Sequence, residues 1–357
     1  MFFKYLFRLL AVCFWITIIY AFLMVPYFFK RADFHEKSLR VYTWAHRIDE
    51  SIVRDFENKT GIKVYLKYYE SSEELLTKLE MMSPVDCDIM LPSGYIIEPM
   101  IKAGLLKKLD LSRCSFVHKI YPDFLSMYFD PENQYSLPLY WDVFGIGFNK
   151  EIVGDRNVSL NMIFDKESIV GHEIGMSEDA REAIFLAASY LGLSTNDFSP
   201  TNLNKISHLL HAQKTWVGSY TDSQQGYFLA SDTFAVVVSD REIICREMLK
   251  HNFIKFALVP SGSMLRTDSV VISASTQKED FAYQFLDYLF SHEVLQYHCE
   301  KFCILPTSKE VFASLDKKYI GVDDLYPGGD EFKKLIVFKH GLTQKEINDF
   351  WIKFKAS

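Results

Sequence analysis

The sequence lacks the local motifs that mark most enzymes and nucleotide-binding proteins. It has no P-loop, no nucleophile elbow and no acid and base at short spacing. Gly145 and Gly147 form half of a dinucleotide fingerprint, but Lys150 follows and no further glycine opens a helix. Internal repeats and low-complexity tracts are also absent. The sequence therefore gives no reason to predict an enzyme or a cofactor.

Acidic residues outnumber basic residues outside the N-terminus. The formal net charge of the 357 residues is −7. The first 31 residues carry Lys4, Arg8, Lys30 and Arg31 and no acid, so the charge becomes −11 when these four cations are left out. An acidic body argues against a nucleic-acid partner and favours a small cationic ligand.

Cysteine is also scarce, with six residues in the chain. Beyond the N-terminal segment they are Cys87, Cys114, Cys245, Cys299 and Cys303. This odd number has no framework spacing, so at least one thiol stays unpaired in a monomer. His292 and His298 lie near the last two cysteines but do not have the zincin spacing, and a structural helix face is predicted there instead of a metal site.

The longest uncharged run is Leu9–Phe29. At about 1.5 Å per residue it is long enough to cross the ~30 Å core of a bilayer. No small-x-small cleavage site follows it. We therefore predict that residues 1–31 form an uncleaved membrane anchor with the body outside. A cleaved export signal and lipidation at Cys13 are the alternatives, but the apolar stretch before Cys13 is short for a lipoprotein signal.

Strands and helices alternate after the anchor. The predicted strands are Leu39–Trp44, Ile62–Tyr68 and Val85–Leu91, and helices follow at Ile52–Phe56, after the Ser71 and Glu74 capping box, and at Ile97–Leu106. This pattern predicts an α/β fold with a mostly parallel sheet. Ligands bind beyond the carboxyl ends of such strands, where Trp44, Ser93 and Tyr95 lie.

A turn-rich break at 130–138 precedes the apolar strand Leu139–Phe148, which predicts a crossing into a second lobe. Further strands are predicted near Ile174 and at 233–238, 256–259 and 268–274, with helices at 203–212, 281–289 and 347–354. The last helix carries Ile347, Phe350, Trp351 and Phe354 on one face, which predicts that it docks on a lobe.

An acidic cluster opens the helix predicted after Ser177. Asp179 and Glu182 are three residues apart, so both carboxylates can point at one object. Ser177 as a cap, with acids that complement the helix dipole, explains the same cluster without a ligand. Asp268, predicted at the start of a strand, is the second acid that a binding site would need.

Several stretches together resemble one family, the spermidine/putrescine-binding proteins of ABC importers. The similarity covers about residues 38–357. It is carried by Tyr42–Trp44, Thr60–Val64, Tyr69–Ser71, Pro92–Tyr95, Phe129–Pro131, Tyr135–Pro138, Asp179–Glu182 and Asp268–Ser269. The resemblance implies a two-lobed periplasmic-binding-protein-like fold of type II with a mostly parallel sheet in each lobe. Residues 38–142 with 268–311 would form the first lobe and 143–267 with 312–357 the second.

The resemblance also implies site residues. Trp44, Ser93 and Tyr95 would line the first-lobe wall, Asp179 and Glu182 would receive an ammonium group, and Asp268 an amino or imino group. The chain departs from the family where an aromatic wall is expected, because Arg47, Val238 and Arg266 stand there. The implied partners are a polyamine-like ligand and ABC permease subunits.

Three functions follow from these residues. The first is a monomeric, membrane-tethered periplasmic receptor for a putrescine- or spermidine-like cation. The second is the same receptor for a zwitterion or anion, because two arginines replace aromatic residues. The third is an envelope sensor or enzyme on this scaffold, which would need a convergent nucleophile and base.

Overall fold

The computed structural model describes residues 8, 10, 13–22, 24, 37–81, 87–169, 171–195, 197–222, 224–231, 233–259, 262–337 and 342–356. Residues 13–22 are helical and exposed. Within these ranges, no helix has both the length and the apolar character needed to cross a bilayer. Much of the predicted span Leu9–Phe29 lies outside the described residues.

The strands follow the sequence pattern closely in position but not always in length. They are β1 Ser38–Thr43, β2 Lys63–Tyr68, β3 Ile89–Met90, β4 Ser136–Asn149, β5 Glu173–Met176, β6 Val217–Tyr220, β7 Phe234–Asp240, β8 Ile254–Ala257, β9 Met264–Ile272, β10 Leu305–Pro306 and β11 Ile336–Val337.

The helices of the body are α1 Glu50–Thr60, α2 Ser72–Met81, α3 Gly94–Lys102, α4 Lys150–Val153, α5 Asn161–Phe164, α6 Ala180–Tyr190, α7 Pro200–Gln213, α8 Gln225–Ala230, α9 Arg241–Met248, α10 Glu279–Leu289, α11 His292–Phe302, α12 Lys309–Ser314, α13 Lys317–Ile320, α14 Asp330–Lys333 and α15 Gln344–Ala356.

Local capping sets the ends of the first helices. The Asp49 side chain accepts a hydrogen bond from the Ser51 backbone N–H, which starts α1. The same helix stops at Gly61, whose φ of 70° is the left-handed conformation that glycine adopts without strain. Ser71 Oγ accepts from the Glu74 N–H at the start of α2, whereas the Glu74 carboxylate accepts from the Glu70 N–H.

The sheet is mixed, with the strand order β2-β1-β3-β9-β4-β7-β5-β6. Neighbours are parallel at both ends, where β1 pairs with β2 and β3, and β5 pairs with β6 and β7. They are antiparallel in the middle, where β9 and β4 pair with each other and with β3 and β7. The prediction of a mostly parallel sheet therefore describes only the outer strands, because the chain crosses between lobes twice and in opposite directions.

The two largest clusters of buried hydrophobic side chains, called here the first and the second core, meet at these crossing strands. Val143 of β4 belongs to the first core, and its neighbour Phe144 belongs to the second. Leu265 and Met264 of β9 divide in the same way. The crossing strands therefore pass from one core to the other at paired positions, since Val143 faces Leu265 and Phe144 faces Met264 in the ladder.

The lobe boundaries predicted from sequence stay a prediction. The sequence analysis assigned the segment from 312 to 332 to the second lobe. In the structure, this segment packs four apolar side chains into the first core. These are Phe312, Leu315, Leu325 and Phe332.

The last helix docks on the second core, as predicted. Phe354 is buried there, and Phe350 and Trp351 pack against the same cluster. Ile347 is buried as well. The Phe354 ring also lies 5.7 Å from the Tyr220 ring. This apolar face is explained by packing within the chain.

Candidate functional site

The two crossing strands carry the centre of the candidate site. Asp268 lies in the middle of β9 instead of at a strand start, which corrects the sequence prediction. Its backbone bridges to Ser93, which precedes α3. The Ser93 hydroxyl also donates to Asp268 Oδ1 at 3.2 Å. The pairing of β9 with the end of β3 therefore joins two predicted site residues that are 175 positions apart.

Arg47 connects this centre to α9. Its Nε lies 2.6 Å from Asp268 Oδ2, and its Nη1 lies 2.9 Å from Glu242 Oε2. Arg47 follows β1, whereas Glu242 lies in the first turn of α9. Burial lowers the pKa of Arg47, but the carboxylates of Glu242 and Asp268 outweigh it, and the net pKa is raised. The guanidinium group is thus a charged bridge between β9 and α9.

Arg266 lies two residues before Asp268 on β9 and forms a second ion-paired group. It bonds Glu182 of α6, and its Nη1 lies 2.8 Å from Asp240 Oδ2 at the end of β7. Burial lowers the pKa of Arg266, and the nearby carboxylates of Asp179 and Asp268 act in the opposite direction. Of the predicted acids, Glu182 is therefore paired with Arg266, whereas Asp268 is paired with Arg47.

The start of α6 differs from the predicted cap. Asp179, and not Ser177, is the N-cap residue, and its Oδ1 accepts from the Arg181 N–H at 2.7 Å. Its other oxygen lies 3.7 Å from the Arg181 guanidinium. That guanidinium lies 5.0 Å from the centre of the Tyr95 ring, which comes from the first lobe. One acid of the predicted pair is thus engaged in a capping bond, and Arg181 contacts the opposite wall.

Aromatic rings line the same region. Trp44 packs on Tyr69 with ring centres 4.5 Å apart. The Trp44 Nε1 donor is buried and has no hydrogen-bond partner among the described residues. Arg266 lies 5.3 Å from the Phe144 ring centre. Aromatic surface is present, although two positions of the expected wall carry arginine.

The acid Asp222 supports α6 from a neighbouring loop. Its Oδ1 accepts from the Ser177 hydroxyl at 2.7 Å and from the Glu178 N–H at 3.1 Å. Burial raises the pKa of Asp222 to about 6, and the negative charge of Asp179 acts in the same direction, against the Ser177 hydrogen bond. The fold therefore makes ionisation of Asp222 less favourable than in an exposed aspartate.

Sequence reasoning missed Asp240, Glu242, Arg181 and Asp222. Asp240 ends the buried strand β7 and Glu242 comes two residues later, and the carboxyl ends of strands were the criterion that selected Ser93 and Tyr95. The same criterion applied to β7 would have found them. Asp222 follows the short strand β6, which the sequence analysis did not predict.

No metal site accompanies these carboxylates. In the part of the chain that the structure describes, no group of three or more His, Cys, Asp or Glu residues could hold a metal ion. The carboxylates are instead paired with guanidinium groups.

Comparison with known proteins fits this geometry. Residues 51–320, more than half of the chain, match the family described as "Bacterial extracellular solute-binding protein". The chain belongs to this family of extracellular solute-binding proteins. Members are receptors and not enzymes, which confirms the prediction that the chain is not an enzyme.

Individual relatives agree with the resemblance seen in the sequence. The chain is 24% identical over 298 residues to the spermidine/putrescine-binding periplasmic protein of Escherichia coli (strain K12), covering 83% of this chain and 85% of the relative. It is 27% identical over 272 residues to the putrescine/cadaverine-binding protein of Pseudomonas aeruginosa, covering 71% and 74%.

A solved structure confirms the two-lobed α/β architecture. The putative spermidine/putrescine ABC transporter from Listeria monocytogenes superposes with a TM-score of 0.81 at 27% identity, covering 90% of this chain and 99% of that one.

We predict that Asp222→Asn stabilises the protein at pH 7 and not at pH 4. Because the folded pKa lies near 6, above the usual value near 3.8, protonation favours the folded state; this contribution is full below pH 4 and is lost as the pH rises through 6. Asparagine keeps the acceptor for Ser177 and Glu178. Urea unfolding should show a gain of about 2 kcal/mol at pH 7.

The matched control is Asp349→Asn, which makes the same change at an exposed position of α15 and should leave the free energy of unfolding within about 0.5 kcal/mol. An equal gain in both variants, or a gain at pH 4, would contradict the assignment.

Proposed function

We propose that the protein is the periplasmic receptor of an ABC importer and binds a small polyamine-like cation between its lobes. The carboxylates that converge from both lobes on the crossing strands carry this proposal. They are Asp179, Glu182, Asp240, Glu242 and Asp268. Paired carboxylates bind ammonium groups through charge-assisted hydrogen bonds, and aromatic faces attract methylene chains and cations. The curated relatives named above support the ligand class.

The proposed contacts follow the geometry of the cleft. Asp179 and Glu182 receive one ammonium group, Asp268 receives an amino or imino group, and Trp44, Ser93 and Tyr95 line the first-lobe wall. ABC permease subunits are the proposed partners, and the receptor acts as a monomer. The lobes, 38–142 with 268–311 and 143–267 with 312–357, would rotate about β4 and β9 on closure.

We expect Asp268→Asn to weaken putrescine binding by roughly ten- to a hundredfold in titration calorimetry, because a charged hydrogen bond is worth about 1.5–3 kcal/mol. The variant also leaves the Arg47 guanidinium with one carboxylate fewer, which repels the ligand further. Glu178→Gln, an exposed acid beside Asp179, is the matched control and should bind as the unmutated protein does. Equal affinities of Asp268→Asn and the unmutated protein would refute the proposed contact.

The two arginines favour a short or zwitterionic ligand. Glu182 and Asp268 each already bond a guanidinium group, so a ligand with fewer ammonium groups disrupts fewer ion pairs. Two like charges 4 Å apart interact by roughly 4 kcal/mol at an effective dielectric of about 20, more than the ~2 kcal/mol of a cation–π contact. A ligand carboxylate could instead pair with Arg266 or Arg47. A zwitterion is therefore the second candidate ligand.

We predict that putrescine or 4-aminobutyrate binds more tightly than spermidine. Arg266→Trp, which frees Glu182 and Asp240 and restores an aromatic face, should shift the preference toward spermidine by at least about tenfold. Arg54→Trp replaces an exposed arginine and should leave the order of affinities unchanged. Tighter binding of spermidine by the unmutated protein would rule out this selectivity, while leaving the receptor function intact.

We also propose that residues 1–31 hold the protein in the cytoplasmic membrane as an uncleaved anchor. The uncharged run Leu9–Phe29 supports this, as does the absence of a cleavage site after it. Alkaline carbonate should fail to extract the protein from membranes. A mature N-terminus beyond Arg31 would disprove the anchor.

A further inference from the structure

A buried histidine lies behind the loop that carries Trp44 and Arg47. His298 belongs to α11 and is fully buried. Its two ring nitrogens contact different parts of the chain. Nε2 lies 3.1 Å from the backbone nitrogen of Asp49, and Nδ1 lies 2.7 Å from the Tyr140 hydroxyl oxygen. The imidazole ring therefore joins the end of this loop to the strand β4.

These two contacts determine which ring nitrogen carries the proton. A backbone N–H can only donate, so Nε2 accepts from Asp49 and has no hydrogen of its own. In the neutral ring the proton is then on Nδ1, which donates to the Tyr140 oxygen. Burial lowers the pKa of His298 to about 4; the Asp49 carboxylate acts against this shift, and the Lys301 ammonium acts with it. The ring is therefore neutral near pH 7, which is the form that both contacts need.

The same helix contacts the loop on both sides of Arg47. His46, the residue before it, has the left-handed conformation with φ 62°, which is uncommon outside glycine and persists where surrounding contacts hold it. The His46 ring lies 5.6 Å from the Phe302 ring of α11. On the other side, the Asp49 carboxylate accepts from Lys301 Nζ of α11. Arg47 is thus placed between two contacts with one helix.

The Tyr140 contact leads to the centre of the site. Tyr140 faces Asp268 in the ladder between β4 and β9. Asp268 is the carboxylate that lies 2.6 Å from Arg47 Nε. Both partners of this ion pair are therefore linked to His298. Arg47 is linked through the loop that ends at Asp49, and Asp268 is linked through its strand pairing with Tyr140.

We propose that His298 is a positioning residue of the ligand site, whose neutral ring holds the loop from Trp44 to Asp49 in place. This role rests on the receptor function proposed above, in which Trp44 lines the wall of the site. A loop that is already ordered loses less conformational entropy when the ligand binds. Loss of the His298 contact leaves the carboxylates that bind Arg47 unchanged and acts on the order of the loop. Ligand affinity should therefore fall when the contact is lost.

Hydrogen exchange of the ligand-free full chain, read by mass spectrometry, tests the order of the loop. His298→Asn can still bond Tyr140, but its side chain is too short to accept from the Asp49 N–H, whereas His298→Gln places an amide oxygen near the position of Nε2. Peptides that cover residues 44–52 should exchange roughly tenfold faster in His298→Asn than in the unmutated protein, because a buried hydrogen bond is lost. His298→Gln should restore most of the protection.

Titration calorimetry with putrescine tests the consequence for the site. His298→Asn should weaken binding by roughly three- to tenfold, and His298→Gln should recover most of this loss. Tyr140→Phe removes only the hydroxyl that accepts from Nδ1 and keeps the ring in the first core. It should change exchange and affinity in the same direction, and it serves as the test if His298→Asn does not fold.

His292→Asn is the matched control, because it makes the same substitution in the first turn of α11 and should change neither measurement. Equal exchange in His298→Asn and the unmutated protein would overturn the proposal, as would no recovery in His298→Gln. Faster exchange with unchanged or tighter putrescine binding would overturn it as well. An unmutated protein that binds no amine would instead refute the receptor function, and the exchange experiment would still decide whether His298 orders the loop.

Discussion

The buried ion pair between Arg241 and Asp142 determines how the two lobes meet. Asp142 lies on the crossing strand β4, one residue before the chain leaves the first core, and its two oxygens accept from Arg241 Nε and from the Glu242 N–H. A buried charge that loses its partner is strongly destabilising, commonly by 3–5 kcal/mol. The start of α9 is therefore tied to the crossing strand, and the carbonyls of residues 303, 319 and 320 are tied to α9. The side chains of α9 that face the cleft are therefore held in place by these bonds.

The cleft then depends on a competition among cations. Arg47 bridges Asp268 and Glu242, and Arg266 bonds Glu182 and Asp240. These bonds satisfy carboxylates that would otherwise be desolvated and unpaired, so they stabilise the arrangement of these side chains. A cation of the kind proposed above would gain affinity only from interactions that exceed those of the guanidinium groups it displaces.

Much of the fold and part of the site could be predicted from sequence. Alternating strands and helices, the Ser71 cap of α2 and the apolar face around Phe354 are local signals, and the structure confirms them. The ligand-binding roles of Asp179, Glu182 and Asp268 come from the family resemblance, because spacing alone cannot supply them, and they stay a prediction. The mixed sheet could not be read from local patterns, because strand direction is set by pairing between distant segments such as β4 and β9. The ion pair between Arg47 and Glu242 could not be predicted for the same reason, because the two residues lie 195 positions apart.

The pairing of β4 with β9 has a mechanical consequence. Because the two connectors form one antiparallel ladder from Ser136–Val271 to Phe144–Met264, neither can slide along the other without breaking hydrogen bonds. Bending or twisting the ribbon as a whole keeps those bonds. The ladder therefore allows the angle between the lobes to change, and it resists a sliding motion of one lobe past the other. A protein that binds to both lobes at once would therefore respond to a single variable, the angle between the lobes.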